Sequence, residues 1–385
     1  MRIVHTTLRY PPASGGAETY VRDIVERTRD IEAGRDVRVL TSKMRTHGPI
    51  SELDPGLLLD DPPYVQRLHH ASTPGISYPR LQALRYYLGH HKPDIIHGYG
   101  FWYQPADTAA RYALQHHIPF IFHPIYYENE IRQKAVWQLY KRTIGRKTFA
   151  TADVVVVISP YEQQLIEQAG FLVNRFELIP PGIDVSRFET QRISPFLKRD
   201  IFGRIMLSVS RIAESKGIQD IIAILPDAIR AIPDLQYVIV GEDFGYMETL
   251  KQQAKSSGVA DRVHFLGKVD ESELIGAYQH ADIFVHPSHY EAFGIVVAEA
   301  LAAGTPVVAR NVSAIPFVAP HREAGLLCST NEEFTQAIIS LISDQKMSQQ
   351  YGVFGKAHVT EEFSWDVVIK KVVALYHSLL PELFE

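Results

Sequence analysis

The sequence holds a single cysteine, Cys328, among its 385 residues. One thiol excludes an intrachain disulfide and any CxxC metal site. No run reaches the roughly 18 consecutive apolar residues of a membrane-spanning helix. The opening Met1–Thr7 is too short for the apolar core of a secretion signal, so a cytoplasmic protein is expected. No Asp-x-Asp occurs, so a bridging divalent metal is not suggested and no cofactor is expected. Excess charge of one sign is missing too. Lysine and arginine number 39 against 44 acidic residues, which excludes a globally basic nucleic-acid binder. With 46% apolar and 22% charged residues, the chain is neither disordered nor collagen-like.

What is present is alternation. Short β-branched runs (Met1–Thr6, Asp36–Leu40, Asp94–His97, Pro119–His123, Val154–Ser159) are separated by amphipathic stretches such as Ala17–Ile31, Thr108–His116 and Tyr161–Gln168. The pattern restarts with Ile205–Ser210, Tyr237–Val240, His264–Leu266, Ile283–His286 and Pro306–Ala309, with Gly217–Ala231 helical between the first two. Strand, helix, strand repeated twice over predicts an α/β protein of two doubly wound parallel sheets facing across a cleft. Pro180-Pro181-Gly182-Ile183-Asp184 interrupts regular structure. We therefore expect domains at 1–184 and 185–362, and a terminal helix in 363–385. Residues 42–80, rich in Pro, Gly and Asp, read as loop. In such sheets ligands sit beyond the carboxyl ends of the strands, so chemical residues should follow strands.

Several do. His289-Tyr290-Glu291-Ala292-Phe293-Gly294-Ile295 follows a strand and opens a helix that carries Glu299. Backbone N–H groups of Phe293 and Gly294 at a helix start favour a phosphate. A loop carboxylate, Glu291, and one two turns into the helix, Glu299, suit sugar and ribose hydroxyls; His289 and Ile295 are further candidate substrate contacts. Arg211 and Lys216 follow Ile205–Ser210 and suit a pyrophosphate, Arg as a fork and Lys as a point charge. Gly15-Gly16 opens the helix Ala17–Ile31 and exposes N–H groups to an oxyanion; it is not GxGxxG, which argues against nicotinamide binding. His123 ends a strand. Glu128 and Glu130 lie in or near the following helix.

The segment Glu291 to Glu299 resembles the Glu-x7-Glu motif of retaining glycosyltransferases of family 4, which have the GT-B fold. The resemblance extends through Gly15-Gly16-Ala17-Glu18, Pro181-Gly182-Ile183-Asp184 with Arg187-Phe188, Ser208 to Gly217, and Phe363-Ser364-Trp365, in the family's order. It implies that Gly16 approaches the donor phosphate and sugar, that His123 contacts the sugar near its reacting carbon, that Gly241 and Val269 meet the nucleotide through the backbone, and that the last helix crosses back to the first domain. It implies transfer of a sugar from a UDP- or GDP-sugar to a hydroxyl acceptor such as a lipid-linked or glycan precursor or a small molecule, with the anomeric configuration retained. After Thr305-Pro306-Val307-Val308 the chain departs: Ser313-Ala314-Ile315-Pro316-Phe317 stands where many relatives have Gly-Gly-x-x-Glu, which bears on donor choice.

Residues 131–152 carry Arg132, Lys134, Lys141, Arg142, Arg146 and Lys147 and no acid. Such a stretch suits either a solvated helix or peripheral contact with anionic lipid at the inner face of the membrane. Two rival functions share the architecture, a sugar-nucleotide epimerase and a non-catalytic nucleotide-sugar binder. Incubation with a sugar nucleotide, with and without an acceptor, separates the three.

Overall fold

The computed structural model describes residues 1–13, 15–31, 36–45, 52–58, 60–73, 76–127 and 134–380. It divides into two compact units, Met1–Pro180 with Val368–Glu385, and Pro181–Val367.

In the first unit the strands are β1 (Arg2–Thr6), β2 (Asp36–Ser42), β3 (Val65–Leu68), β4 (His70–Thr73), β5 (Ile76–Leu81), β6 (Ile95–Tyr99), β7 (Phe120–His123), β8 (Val154–Val157) and β9 (Phe176–Leu178). Seven form one parallel sheet in the order β3-β2-β1-β6-β7-β8-β9. The chain winds outward from β1, then restarts at β6, so the topological switch lies between those two strands. The four valines of β8 are all buried, as a sheet covered on both faces requires. On one face Val4, Ile96, Phe122 and Val155 pack under the helices Leu84–His91 and Gln104–His116. Alternation turns His5, His97, Tyr99 and His123 to the other face, against Tyr20 and Tyr376.

The stretch 42–80 is not all loop. It contains β3 and the antiparallel hairpin β4–β5. β3 is an edge strand whose Val65, Gln66 and Arg67 are only half-buried, so it lacks the apolar signature of the central strands. The expected helix over 131–152 is in fact a helix Lys134–Tyr140, a π-helical turn Lys141–Gly145 and a helix Arg146–Thr151. Glu128, Glu130 and Arg132 lie outside the described residues.

One buried carboxylate fastens this segment. Asp107 accepts from Tyr140 Oη at 2.9 Å, from Thr148 Oγ1 at 2.5 Å and from Tyr78 Oη. Burial raises its pKa, and the hydroxyl donors oppose the rise.

The second unit is a parallel sheet of β10 (Arg204–Val209), β11 (Leu235–Val240), β12 (Val263–Gly267), β13 (Ile283–His286), β14 (Val307–Arg310) and β15 (Gly325–Cys328). Their order is β12-β11-β10-β13-β14-β15, with the switch between β10 and β13. Ser208 Oγ donates to Val285 O at 2.6 Å across that junction. Met206, Tyr237, Ile239 and Val285 share a core with the helices Ile218–Ala231, Met247–Ser256 and Asn331–Ser343. Ile183 is bridged to Ser364 just before the last helix, Trp365–Leu379, whose residues from Val368 onward group with the first unit. There Tyr376 Oη lies 2.9 Å from His97 Nδ1.

Asp107→Ala removes the acceptor of three buried hydroxyls. We expect a loss of about 2–4 kcal/mol in denaturant unfolding. An unchanged unfolding midpoint would show that the hydroxyls have other acceptors.

Candidate functional site

The switch point of the second unit places two loops side by side, and charge fastens them. Lys216 comes from the turn Glu214–Lys216 after β10, and Glu291 from the loop after β13. Lys216 Nζ lies 2.5 Å from Glu291 Oε1 and 3.5 Å from Ser288 Oγ. His286 Nε2 is 3.0 Å from the same carboxylate oxygen. The His289 amide donates to Ser215 O at 3.1 Å. Burial by itself would raise the pKa of Glu291. The His286 hydrogen bond and then the Lys216 charge outweigh that and bring it down to about 2.

Beyond Glu291 the chain turns into the helix Ile295–Ala302 through Gly294, whose φ is 98°. That positive φ favours glycine; a Cβ there would sit 2.9 Å from the tip of Ile315, which can give way. N–H groups in the first turn of that helix have no carbonyl partner within it. Phe293 is buried, edge-on to Phe317 and Phe363, so only its backbone is available to a ligand. Ile295 is half-buried.

Glu299 is held, not solvated. Tyr278 Oη donates to it at 3.0 Å and Arg187 Nη1 stands 3.5 Å away. Burial raises its pKa and Arg187 opposes the rise.

Other expected contacts have settings the sequence does not disclose. Arg211 is exposed with its guanidinium 5.2 Å from the Phe244 ring centroid, so it and Lys216 have separate partners. His289 Nε2 is 2.9 Å from Asp220 Oδ2, which Arg310 also holds at 2.5 Å. Gly241 has φ 149°, and a Cβ there would overlap the Ser210 carbonyl, so glycine is required by the chain itself. Val269 is half-buried, one residue before Asp270, which caps the helix Glu271–His280.

In the first unit the helix start after Gly15-Gly16 carries a charge of its own. Gly16 does open the helix Gly16–Ile31, but the Glu18 carboxylate folds back over Gly15, accepts from its own N–H and pairs with Arg9. The chain thus brings its own anion to that helix start, where a ligand oxyanion was expected. Burial raises the pKa of Glu18 and Arg9 opposes it. His123 is likewise not at an open edge. Strand alternation places its ring beneath Tyr20, 5.1 Å away and edge-on, and beside Tyr99 and His97. Burial lowers its pKa to about 3, and neither ring nitrogen has a hydrogen-bond partner among the described residues.

Sequence reasoning missed His286, Ser288, Tyr278 and Asp220. His286 and Ser288 flank the β13 exit, so the strand-end rule reaches them. Tyr278 and Asp220 come from distant helices and leave no local signal.

Residues 192–358 match the family described as glycosyl transferases group 1, and residues 14–187 match glycosyltransferase family 4. Over 247 residues, 60% of the chain, there is 31% identity to a GDP-mannose-dependent alpha-(1-6)-phosphatidylinositol monomannoside mannosyltransferase of Mycobacterium tuberculosis, 63% of which is covered. Identity to a D-inositol 3-phosphate glycosyltransferase of Corynebacterium diphtheriae is 29% over 250 residues, covering 61% of the chain and 58% of that relative. The chain thus spans less than two thirds of the length of these curated relatives. Sucrose-phosphate synthase from Thermosynechococcus elongatus superposes with a TM-score of 0.75 at 23% identity, over 99% of each chain. Anabaena HepE in complex with UDP does so at 0.77 and 21%, over 98% of this chain and 100% of that one. These two likenesses are of fold.

A carboxylate whose pKa is depressed on folding stabilises above its unfolded pKa and loses that contribution as pH falls through the folded one. Glu291 therefore contributes fully above about 4.5 and progressively less toward 2. We expect Glu291→Gln to cost on the order of 2–3 kcal/mol at pH 7, by denaturant unfolding. The gap should hold at pH 5.5 and narrow below about 4.5. A gap independent of pH down to 3.5 contradicts the assignment.

Proposed function

From the premise that the chain belongs to the group 1, family 4 glycosyltransferases and has their GT-B fold, we propose that it moves a hexose from a nucleotide diphosphate sugar to a hydroxyl acceptor, with retention and without a metal. The observation that carries this reading is the convergence of Lys216, Glu291 and the start of helix Ile295–Ala302 at the β10/β13 switch of the second unit. A diphosphate arriving there gains Lys216 as counter-ion and the N–H groups of Gly294 and Ile295 as donors, with Arg211 on the flank. Glu291, freed from Lys216 but still held by His286, then turns its second oxygen to the sugar hydroxyls.

Glu299, fixed by Tyr278 and Arg187, receives the ribose hydroxyls; Gly241 and Val269 lie where the backbone meets the nucleotide, and His289 borders the loop. In the first unit Gly15 and Gly16 adjoin the sugar, and a sugar hydroxyl would satisfy the unpaired nitrogens of His123. Glu299 is engaged by Arg187 and Tyr278, and Glu291 by His286 and the sugar hydroxyls, so neither is assigned the role of covalent nucleophile. The departing phosphate oxygen takes the acceptor proton on the face from which it leaves, which retains configuration. The reading without a metal rests on the sequence, which has no Asp-x-Asp. GDP-mannose is the first donor to try, since that name is printed for the mannosyltransferase at 31% identity.

No helix among the described residues is long and apolar enough to cross a membrane. Peripheral contact with an anionic surface is supported by a cleft of about 310 Å³ lined by Lys141, Arg142 and Arg146.

GDP or UDP should raise the melting temperature of the wild-type protein by a few degrees at saturating concentration, and Lys216→Ala should remove most of that rise. Transfer from the matching sugar nucleotide should fall about 10²–10³-fold in kcat/KM. Equal thermal shifts in both proteins refute the role of Lys216. Conversion of the donor sugar without any acceptor would favour an epimerase.

A further inference from the structure

The first unit contains a second crevice at its own switch point, past the carboxyl ends of β1, β6 and β7. Its volume is about 420 Å³, within the range of small-molecule sites, and its walls include Leu8, Ala17, Pro79, Trp102, Tyr127 and Trp137. No charged side chain lines it among the described residues. The cation behind it, Arg9, is committed to Glu18 and to Tyr103.

The walls are rigid and strained. Trp102 has φ 67° and Ile125 φ 48°, a region that costs a non-glycine residue energy, most of all a β-branched one. The two loops that carry them are tied to each other, and Trp102 is held in addition by Tyr140. Gly100 N donates to His123 O at 2.9 Å and Phe101 N to Pro124 O at 2.7 Å. Trp102 N donates to Tyr140 Oη at 3.2 Å, and Tyr140 is the hydroxyl fastened by Asp107. Strain maintained by the surrounding structure, beside an aromatic wall, marks a preorganised binding surface.

We infer that this crevice takes the acceptor, and that it selects an uncharged glycoside bearing an apolar or aromatic aglycone over a phosphorylated polyol. The inference rests on the transferase reading above, and it parts from the inositol phosphate named for one relative. Aromatic faces bind the apolar side of a sugar ring and an aglycone alike. A phosphate there would lose its hydration and find no available cation among the described lining residues.

The protein reports on the crevice directly. Of three tryptophans, Trp102 and Trp137 line it, while Trp365 packs on Gly182 in the second unit. Titration of the full chain with phenyl α-D-glucopyranoside should give a saturable change in tryptophan emission, and myo-inositol 1-phosphate should bind at least tenfold more weakly. Tyr127 is 47% exposed, so Tyr127→Ala should fold. It should weaken the glycoside roughly five- to tenfold, while Tyr127→Phe keeps wild-type binding. Inositol phosphate binding as tightly as the glycoside, no saturable response to the glycoside, or a Tyr127→Ala protein that binds it unchanged would each overturn the inference. A thermal shift with GDP or UDP, read in parallel, separates the two readings. Nucleotide binding without glycoside binding removes the acceptor assignment alone. Glycoside binding with neither nucleotide bound removes the transferase reading and with it the word acceptor.

Discussion

Glu291 is an ionised carboxylate taken out of water, and the loops that leave β10 and β13 are arranged around that cost. An isolated charge at such depth would be expelled or protonated. Lys216 and His286 keep it ionised from two sides, and Ser288 adds a second contact to the lysine. The consequence is a loop pair that is closed on itself by charge yet open to exchange. An incoming anion competes for Lys216, while His286 continues to hold Glu291. On the proposed function, a site built this way is preorganised for a diphosphate without leaving either charge unpaired in its absence.

The two units treat charge in different ways at a helix start beside the switch point of each sheet. Each has a switch point, a glycine-led helix and a loop after its first strand. In the second unit the helix start at Gly294 is preceded by a carboxylate that lysine and histidine restrain. In the first, the helix start at Gly16 already holds Glu18, which neutralises Arg9, and the neighbouring crevice is aromatic, with no charged side chain among the described residues that line it. That division suits a reaction between an anionic donor and a neutral acceptor. It also explains why His123, buried beneath Tyr20 with both nitrogens unpaired, stands out in the first unit. Its ring nitrogens have no hydrogen-bond partner among the described residues, although Tyr20, His97 and Tyr99 surround the ring.

Much of the architecture was legible before the structure. Central parallel strands such as β8 and β13 are continuous apolar runs, because both of their faces are covered. The edge strand β12 was legible as His264–Leu266, but the edge strand β3 was not. β3 pairs through its backbone and presents half-buried polar side chains, so it reads like the loop around it. At the site, Glu291, Lys216 and Glu299 stood out because strand ends and helix starts are recognisable locally. Tyr278 acts on Glu299 and Asp220 on His289 from distant helices, and no spacing rule connects positions 278 and 299 or 220 and 289.

The order of strands and glycines by itself determined the fold class, the two winding units and the loops on which chemistry is placed, since each follows from local periodicity and turn chemistry. Only the tertiary structure decided which charges are already paired, which glycines are demanded by a neighbouring backbone, as Gly241 is by Ser210, and which side chains are buried, as His123 is. Those properties depend on distances between residues far apart in the chain, and burial and charge pairing are set by such distances.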